Sequence, residues 1–120
     1  MSQAAEAVEG PTDPEDLKII NLARSALART TARQGACVRD TDGRTYAATS
    51  VQLAHLDLSA LTVAVAMAVS SGAPGLEAAA LAGYDGPSEA DLAVLGDLPG
   101  SGVVVWQVDP RGAVKARIDL

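Results

Sequence analysis

A helix is predicted over residues 59–71, and its side chains are apolar on nearly every side. This predicted helix constrains the fold more than any other segment. A helix without a polar stripe has to be covered on several faces, so we predict that it is the central and most buried helix. Gly72 and Pro74 follow it and end it. The covering layers must consist of small side chains, because the 120 residues include no Phe, one Trp and two Tyr. This composition favours helices packed closely on a sheet.

Another helix is predicted near the start of the chain. Asp13 is a typical N-cap, Pro14 suits the first helical position, and the helix is expected to run to about residue 33. Four apolar residues at helical spacing form its predicted buried face: Leu17, Ile20, Ala23 and Leu27.

Turn residues divide the middle of the chain. Residues 34–39 and 45–51 flank Asp-Thr-Asp-Gly at 40–43, a pattern typical of a β-hairpin. Residues 53–58 are expected to form a loop that leads into the apolar helix.

The second half of the chain alternates strands with one helix. Residues 76–82 predict a short strand, 87–95 a helix, and 103–108 the clearest strand of the chain. Residues 114–118 follow a tight turn and therefore return antiparallel to the strand before them. The predicted order, α-β-β-α-β-α-β-β, is that of an α/β domain with helices against a mixed five-stranded sheet.

Charge limits the classes of partner. The net charge is −6, and residues 1–16 hold five acidic and no basic side chains. We predict a flexible acidic N-terminal tail over residues 1–12 and a single domain over 13–120. The acidic balance makes nucleic-acid binding unexpected. Six basic residues in 17–44 predict a solvated face, with contact to a polyanion as the alternative: Lys18, Arg24, Arg29, Arg33, Arg39 and Arg44.

Cysteine usage and hydropathy bear on location. The single cysteine, Cys37, cannot form an internal disulfide, which favours a cytoplasmic location. The longest apolar stretch, roughly residues 58–69, is shorter than the ~20 residues that span a bilayer, so no membrane insertion is expected.

Several segments resemble, in order and spacing, those of the cytidine deaminases. Residues 35–38 and 42–46 are similar to the family's first hairpin, and 49–54 to the strand end that follows it. Residues 66–72 resemble the close of its central helix, and 108–112 its late hairpin. The resemblance implies a cytidine deaminase-like fold with three layers, α-β-α, around the mixed sheet.

The resemblance also locates a site from which the expected chemical groups are missing. The family's signature is Cys/His-Ala-Glu at the start of one helix and Pro-Cys-x-x-Cys at the start of a later one. Aligned on the Ala and the Pro, the three ligand positions hold Ser59, Ser88 and Asp91, and the Glu position holds Leu61. Ser59 and Ser88 have the alternative role of helix N-caps.

Zinc chemistry would need three Cys or His ligands and a carboxylate that moves protons. The chain has one Cys and one His, Cys37 and His55, so we expect no metal, no other cofactor and no catalytic residue. A mixed site of His55, Asp57 and Asp91 can be assembled, but no spacing supports it. Ser50 and Gln52 stand where the family holds the ribose. The vestigial pocket thus comprises Ser50, Gln52, His55, Ser59, Leu61, Ser88 and Asp91.

These residues favour a catalytically inactive cytidine deaminase homologue that acts as a protein-binding or assembly module. The resemblance implies a homo-oligomer, a dimer or tetramer, and an unidentified protein partner is possible. One alternative is a metal-free nucleoside or nucleotide sensor. The least favoured alternative is an atypical nucleoside deaminase.

Overall fold

The computed structural model describes residues 8–100 and 102–120. The predicted acidic tail falls largely on residues 1–7, which lie outside the described residues, and residues 8–13 form neither helix nor strand. The helices are Pro14–Ala28 (α1), Ala60–Ser70 (α2) and Glu89–Leu95 (α3). The strands are Gly35–Asp40 (β1), Thr45–Thr49 (β2), Val51–Leu53 (β3), Leu56–Leu58 (β4), Leu76–Ala82 (β5), Val104–Val108 (β6) and Val114–Asp119 (β7).

Five strands form a mixed sheet in the order β2-β1-β5-β6-β7. β5 and β6 pair in parallel, and the other neighbours pair antiparallel. On one face, Ile19 and Ala23 of α1 pack with Trp106. On the other face, Leu61 of α2 packs with Leu95 of α3. The three-layer α-β-α architecture and the mixed five-stranded sheet are therefore confirmed.

The middle strand, β5, is built from small side chains. Ala78, Ala79, Ala80 and Ala82 are all fully buried, and they face the two helical layers alternately. Beside β5, a Cβ at Gly35 of β1 would lie 2.3 Å from the carbonyl oxygen of Ala23 in α1. The helix and the sheet are thus in close backbone contact, as the composition predicts.

The prediction for α1 was wrong in two respects. The helix ends at Ala28, not near residue 33, and the Oγ1 atom of Thr30 accepts a hydrogen bond from the backbone N–H of Ala32 at 3.2 Å. This local bond competes with helical pairing. Leu17 is 44% exposed, because the buried face is turned by one residue and includes Asp16 instead. Asp16 is tolerated there since its carboxylate accepts a hydrogen bond from Trp106 Nε1 at 3.1 Å.

The prediction of a loop over residues 53–58 was also wrong, because most of this segment forms strands. β3 and β4 pair antiparallel as a separate two-stranded sheet in the register Val51 with Leu58. The two-residue connection is Ala54-His55, which has none of the Gly, Asn or Asp residues that mark tight hairpins. The sequence therefore offered no turn signal.

As predicted, α2 has the largest buried share of the three described helices, but it is covered on one side only. Ala60, Leu61, Ala64, Val65 and Ala68 face the sheet and are buried. The outer face stays open among the described residues, with Met67 40% and Val69 54% exposed. None of the helices in the described part of the chain is long and apolar enough to cross a membrane.

Candidate functional site

The first turns of α2 and α3 form the centre of the candidate site. Ser59 is the N-cap of α2, where its Oγ accepts the N–H of Thr62 at 3.2 Å. Ser88 is the N-cap of α3, where its Oγ accepts the N–H of Asp91 at 3.0 Å. The carboxylate of Asp91 accepts the N–H of Ser88 in return, also at 3.0 Å, which completes a capping box.

A direct hydrogen bond joins the two helix starts. Ser59 Oγ donates to Asp91 Oδ1 at 2.5 Å, across 32 residues of sequence. Asp91 is only 3% exposed, and each of its carboxylate oxygens has a donor. Leu61 is the second residue of α2 and is fully buried in the core. The structure thus brings Ser59, Ser88 and Asp91 together and holds Leu61 away from solvent.

A polar cavity of about 230 Å³ adjoins Ser59. Ser50 and Gln52 line it, and Ser50 Oγ also accepts the backbone N–H of Gln34 at 3.1 Å. His55 does not line this cavity: it lies exposed at the turn between β3 and β4. The remaining lining residues are Arg33, Gln34, Asp57, Leu58, Ser59 and Asp85.

Arg33 and Asp85 belong to this cavity and were missed by the sequence analysis. Their side chains form an exposed ion pair at 3.2 Å that also borders a second cavity of about 580 Å³. They are 52 residues apart, and no local pattern links them. They meet because β1 pairs with β5 in the register Gly35 with Ala82, so their position depends on the topology of the sheet.

The residues at the helix starts do not fit a zinc ion. Zinc in proteins is held by Cys, His, Asp or Glu. Here two of the three positions hold hydroxyl groups, Ser59 Oγ is bonded to Asp91, and Ser88 Oγ accepts a backbone N–H. Among residues 8–100 and 102–120, no three His, Cys, Asp or Glu side chains are grouped in a way that could hold a metal ion.

The one cysteine is not placed for chemistry. Cys37 is fully buried in β1, in the core cluster that packs under α1. Burial raises the pKa of its thiol to about 11, so the group stays protonated at neutral pH. A protonated, buried thiol is neither a nucleophile nor a ready metal ligand. Cys37 is therefore a small core residue.

Comparison with known proteins extends this description. A family model described as cytidine deaminase-like matches residues 12–112 of the chain. No curated protein matches with significance.

Solved structures of cytidine deaminases share the fold. The enzyme from Burkholderia pseudomallei is 22% identical with a TM-score of 0.72, covering 82% of this chain and 88% of that one. The enzyme from Mycobacterium leprae is 20% identical with a TM-score of 0.67, covering 86% and 93%. The enzyme from Mycobacterium tuberculosis is 24% identical with a TM-score of 0.67, covering 78% and 85%. At these identities the similarity shows the fold alone.

Proposed function

The chain belongs to the cytidine deaminase-like family, and we propose that it is a non-catalytic member that acts as a protein-binding or assembly module. The observation that carries the proposal is the hydrogen bond between Ser59 and Asp91 at the helix starts. Zinc-dependent deamination needs a metal-activated water and a Glu that transfers protons. Ser59 and Asp91 instead satisfy each other, and Leu61 has no proton to transfer.

We expect the purified protein to release no ammonia from cytidine or deoxycytidine and to contain no stoichiometric zinc. Proton transfer by a positioned side chain is typically worth about 10²- to 10⁴-fold in rate, and the activated nucleophile would be missing as well. A coupled ammonia assay and elemental analysis measure the two quantities. Ammonia release together with one zinc per chain would contradict the proposal and favour an atypical nucleoside deaminase.

The outer face of α2 supports an assembly role. Met67 and Val69 are exposed there, and the 11 residues of α2 include no charged side chain. An apolar, uncharged surface is typical of the core of an interface. A second copy of this chain is a suitable partner, because a neutral helix face can pack against itself about a two-fold axis. We therefore assign a homo-oligomer, a dimer or tetramer, to this surface.

Val69→Lys tests the assembly surface. We expect the natural chain to give an oligomeric mass by light scattering and Val69→Lys to give a monomer, because the new ammonium groups would be buried in the interface. Ser25→Lys is the matched control, since it adds the same charge at an exposed site on α1, on the opposite side of the sheet. A monomeric natural chain, or an oligomer that Val69→Lys leaves intact, would contradict this assignment.

A metal-free nucleoside or nucleotide sensor is the second candidate, supported by the polar cavity next to Ser59. At about 230 Å³ the cavity is smaller than the roughly 300–1,000 Å³ of typical ligand pockets, which places this candidate second. Calorimetric titration with cytidine, uridine and cytidine monophosphate would test it. Heat that is lost in Gln52→Ala but kept in Asn21→Ala would support binding, and no heat with any of the three would exclude it.

An unidentified protein partner and a cytoplasmic location also belong to the proposal. The single cysteine, Cys37, is buried without a disulfide partner, which suits a reducing compartment.

A further inference from the structure

Asp91 makes one more contact than a helix cap requires. Its hydrogen bond from the N–H of Ser88 closes the capping box within α3. Its other oxygen accepts the hydroxyl of Ser59, which belongs to a different helix. At 2.5 Å, the distance from Ser59 Oγ to Asp91 Oδ1 lies at the short end of the range for O–H···O hydrogen bonds in proteins.

Burial strengthens the hydrogen bond between Ser59 and Asp91. Asp91 is 3% exposed, so water does not compete effectively for its oxygens. The neighbouring core cluster contributes apolar side chains from both helices, such as Leu61 of α2 and Leu95 of α3, whose contacts are not directional. The Ser59–Asp91 bond, by contrast, requires one arrangement of the two helix starts.

We infer that the Ser59–Asp91 hydrogen bond is the cross-link that fixes the starts of α2 and α3 against each other, at the positions where the resemblance places a metal. The hydrogen bond holds the two helix starts together, as a shared metal ion would, but it does not activate a water molecule. The inference goes beyond the proposed function, because it holds whether or not the chain self-associates. Its direct consequence is a fold that does not depend on zinc.

A double-mutant cycle tests the link. We expect Asp91→Ala and Ser59→Ala each to raise the equilibrium constant of unfolding by about 10- to 100-fold. Asp91→Ala removes the bond to Ser59 together with the capping box, and Ser59→Ala leaves an oxygen of the buried Asp91 without a donor and removes the N-cap of α2. In the Asp91→Ala background, Ser59→Ala should cost only the N-cap of α2, about 5-fold, so the coupling between the two substitutions should be roughly 10-fold. Urea unfolding followed by circular dichroism gives these constants. If Asp91→Ala does not fold, Asp91→Leu, which keeps the branch at Cγ but has no acceptor, replaces it in the cycle.

Ser88→Ala is the matched control, since it removes a capping hydroxyl but leaves the Ser59–Asp91 bond in place. We expect Ser88→Ala and Ser59→Ala to combine additively, within about 2-fold. Additivity between Ser59→Ala and Asp91→Ala would overturn the inference.

Metal dependence provides an independent measurement. A ligand that binds only the folded state raises its stability by mass action. We expect the melting temperature of the natural chain to stay the same when zinc or a chelator is added. A rise with zinc, or a fall with the chelator, would overturn the inference.

Discussion

Arg39→Ala is expected to lower the free energy of unfolding by about 3–5 kcal/mol, the range for breaking a buried ion pair from one side. Arg39 is 6% exposed in β1. Its Nε donates to Glu77 Oε2 at 2.6 Å, and its Nη1 lies 2.9 Å from Asp16 Oδ1, an ionic contact without hydrogen-bond alignment. Burial opposes the charge of Arg39, but the two carboxylates outweigh it and raise the pKa of the guanidinium above its ordinary value. Its loss would leave Asp16 buried without a cation.

Urea unfolding of three variants separates charge from packing. Arg33→Ala removes an arginine whose ion pair with Asp85 is exposed, so we expect a loss below about 1 kcal/mol. The double variant Arg39→Met with Asp16→Asn removes both buried charges and keeps an acceptor for Trp106. It should be more stable than Arg39→Ala. A loss below about 1 kcal/mol for Arg39→Ala itself would contradict this account.

Leu61→Glu, which places a carboxylate where the resemblance aligns the family's Glu, is expected to destabilise the fold by about 3 kcal/mol or more, because it buries a polar group without a partner. Leu61 is fully buried in the core between α2, α3 and the sheet. Leu61→Met, which keeps the volume and the apolar character, should cost less than about 1.5 kcal/mol. The result would show that position 61 does not accept a carboxylate in this fold.

The pH dependence of Leu61→Glu provides a second measurement. Burial raises the pKa of a carboxyl group in the folded state above its unfolded value of about 4.3. The folded state would then bind more protons than the unfolded state between these two pKa values, so the free energy of unfolding should fall as pH rises above about 4. Leu61→Gln, which does not titrate, should lose stability without this additional slope. A stable Leu61→Glu with no such slope would mean that position 61 opens to solvent.

The elements that the sequence predicted well have local signals. Asp13 and Ser59 are N-caps whose side chains bond to N–H groups two and three residues ahead, so they can be recognised within a few positions. β5 was predicted at its observed bounds, because Gly75 and Gly83 interrupt the apolar run on either side. Such features depend on neighbours in sequence.

The elements that were missed depend on distant parts of the chain. Asp16 is buried in place of Leu17 because Arg39 and Trp106 face it, and neither lies near it in sequence. Of the candidate site, the meeting of the two helix starts followed from the family resemblance, since no local pattern links Ser59 to Asp91. The open outer face of α2 could not be predicted, because it reflects the lack of a covering element in the described part of the chain.

The alanines of β5 also restrict how this protein can change. A methyl side chain has no rotamers to lose on folding, so this strand becomes ordered at the cost of its backbone entropy alone. Any replacement other than glycine adds atoms, and α1 on one side and α2 on the other already stand against Ala78, Ala79 and Ala80. We expect the middle of the sheet to tolerate fewer residue types than the candidate site at the starts of α2 and α3. We therefore expect the alanines of β5 to accept substitutions less readily than the rest of the fold.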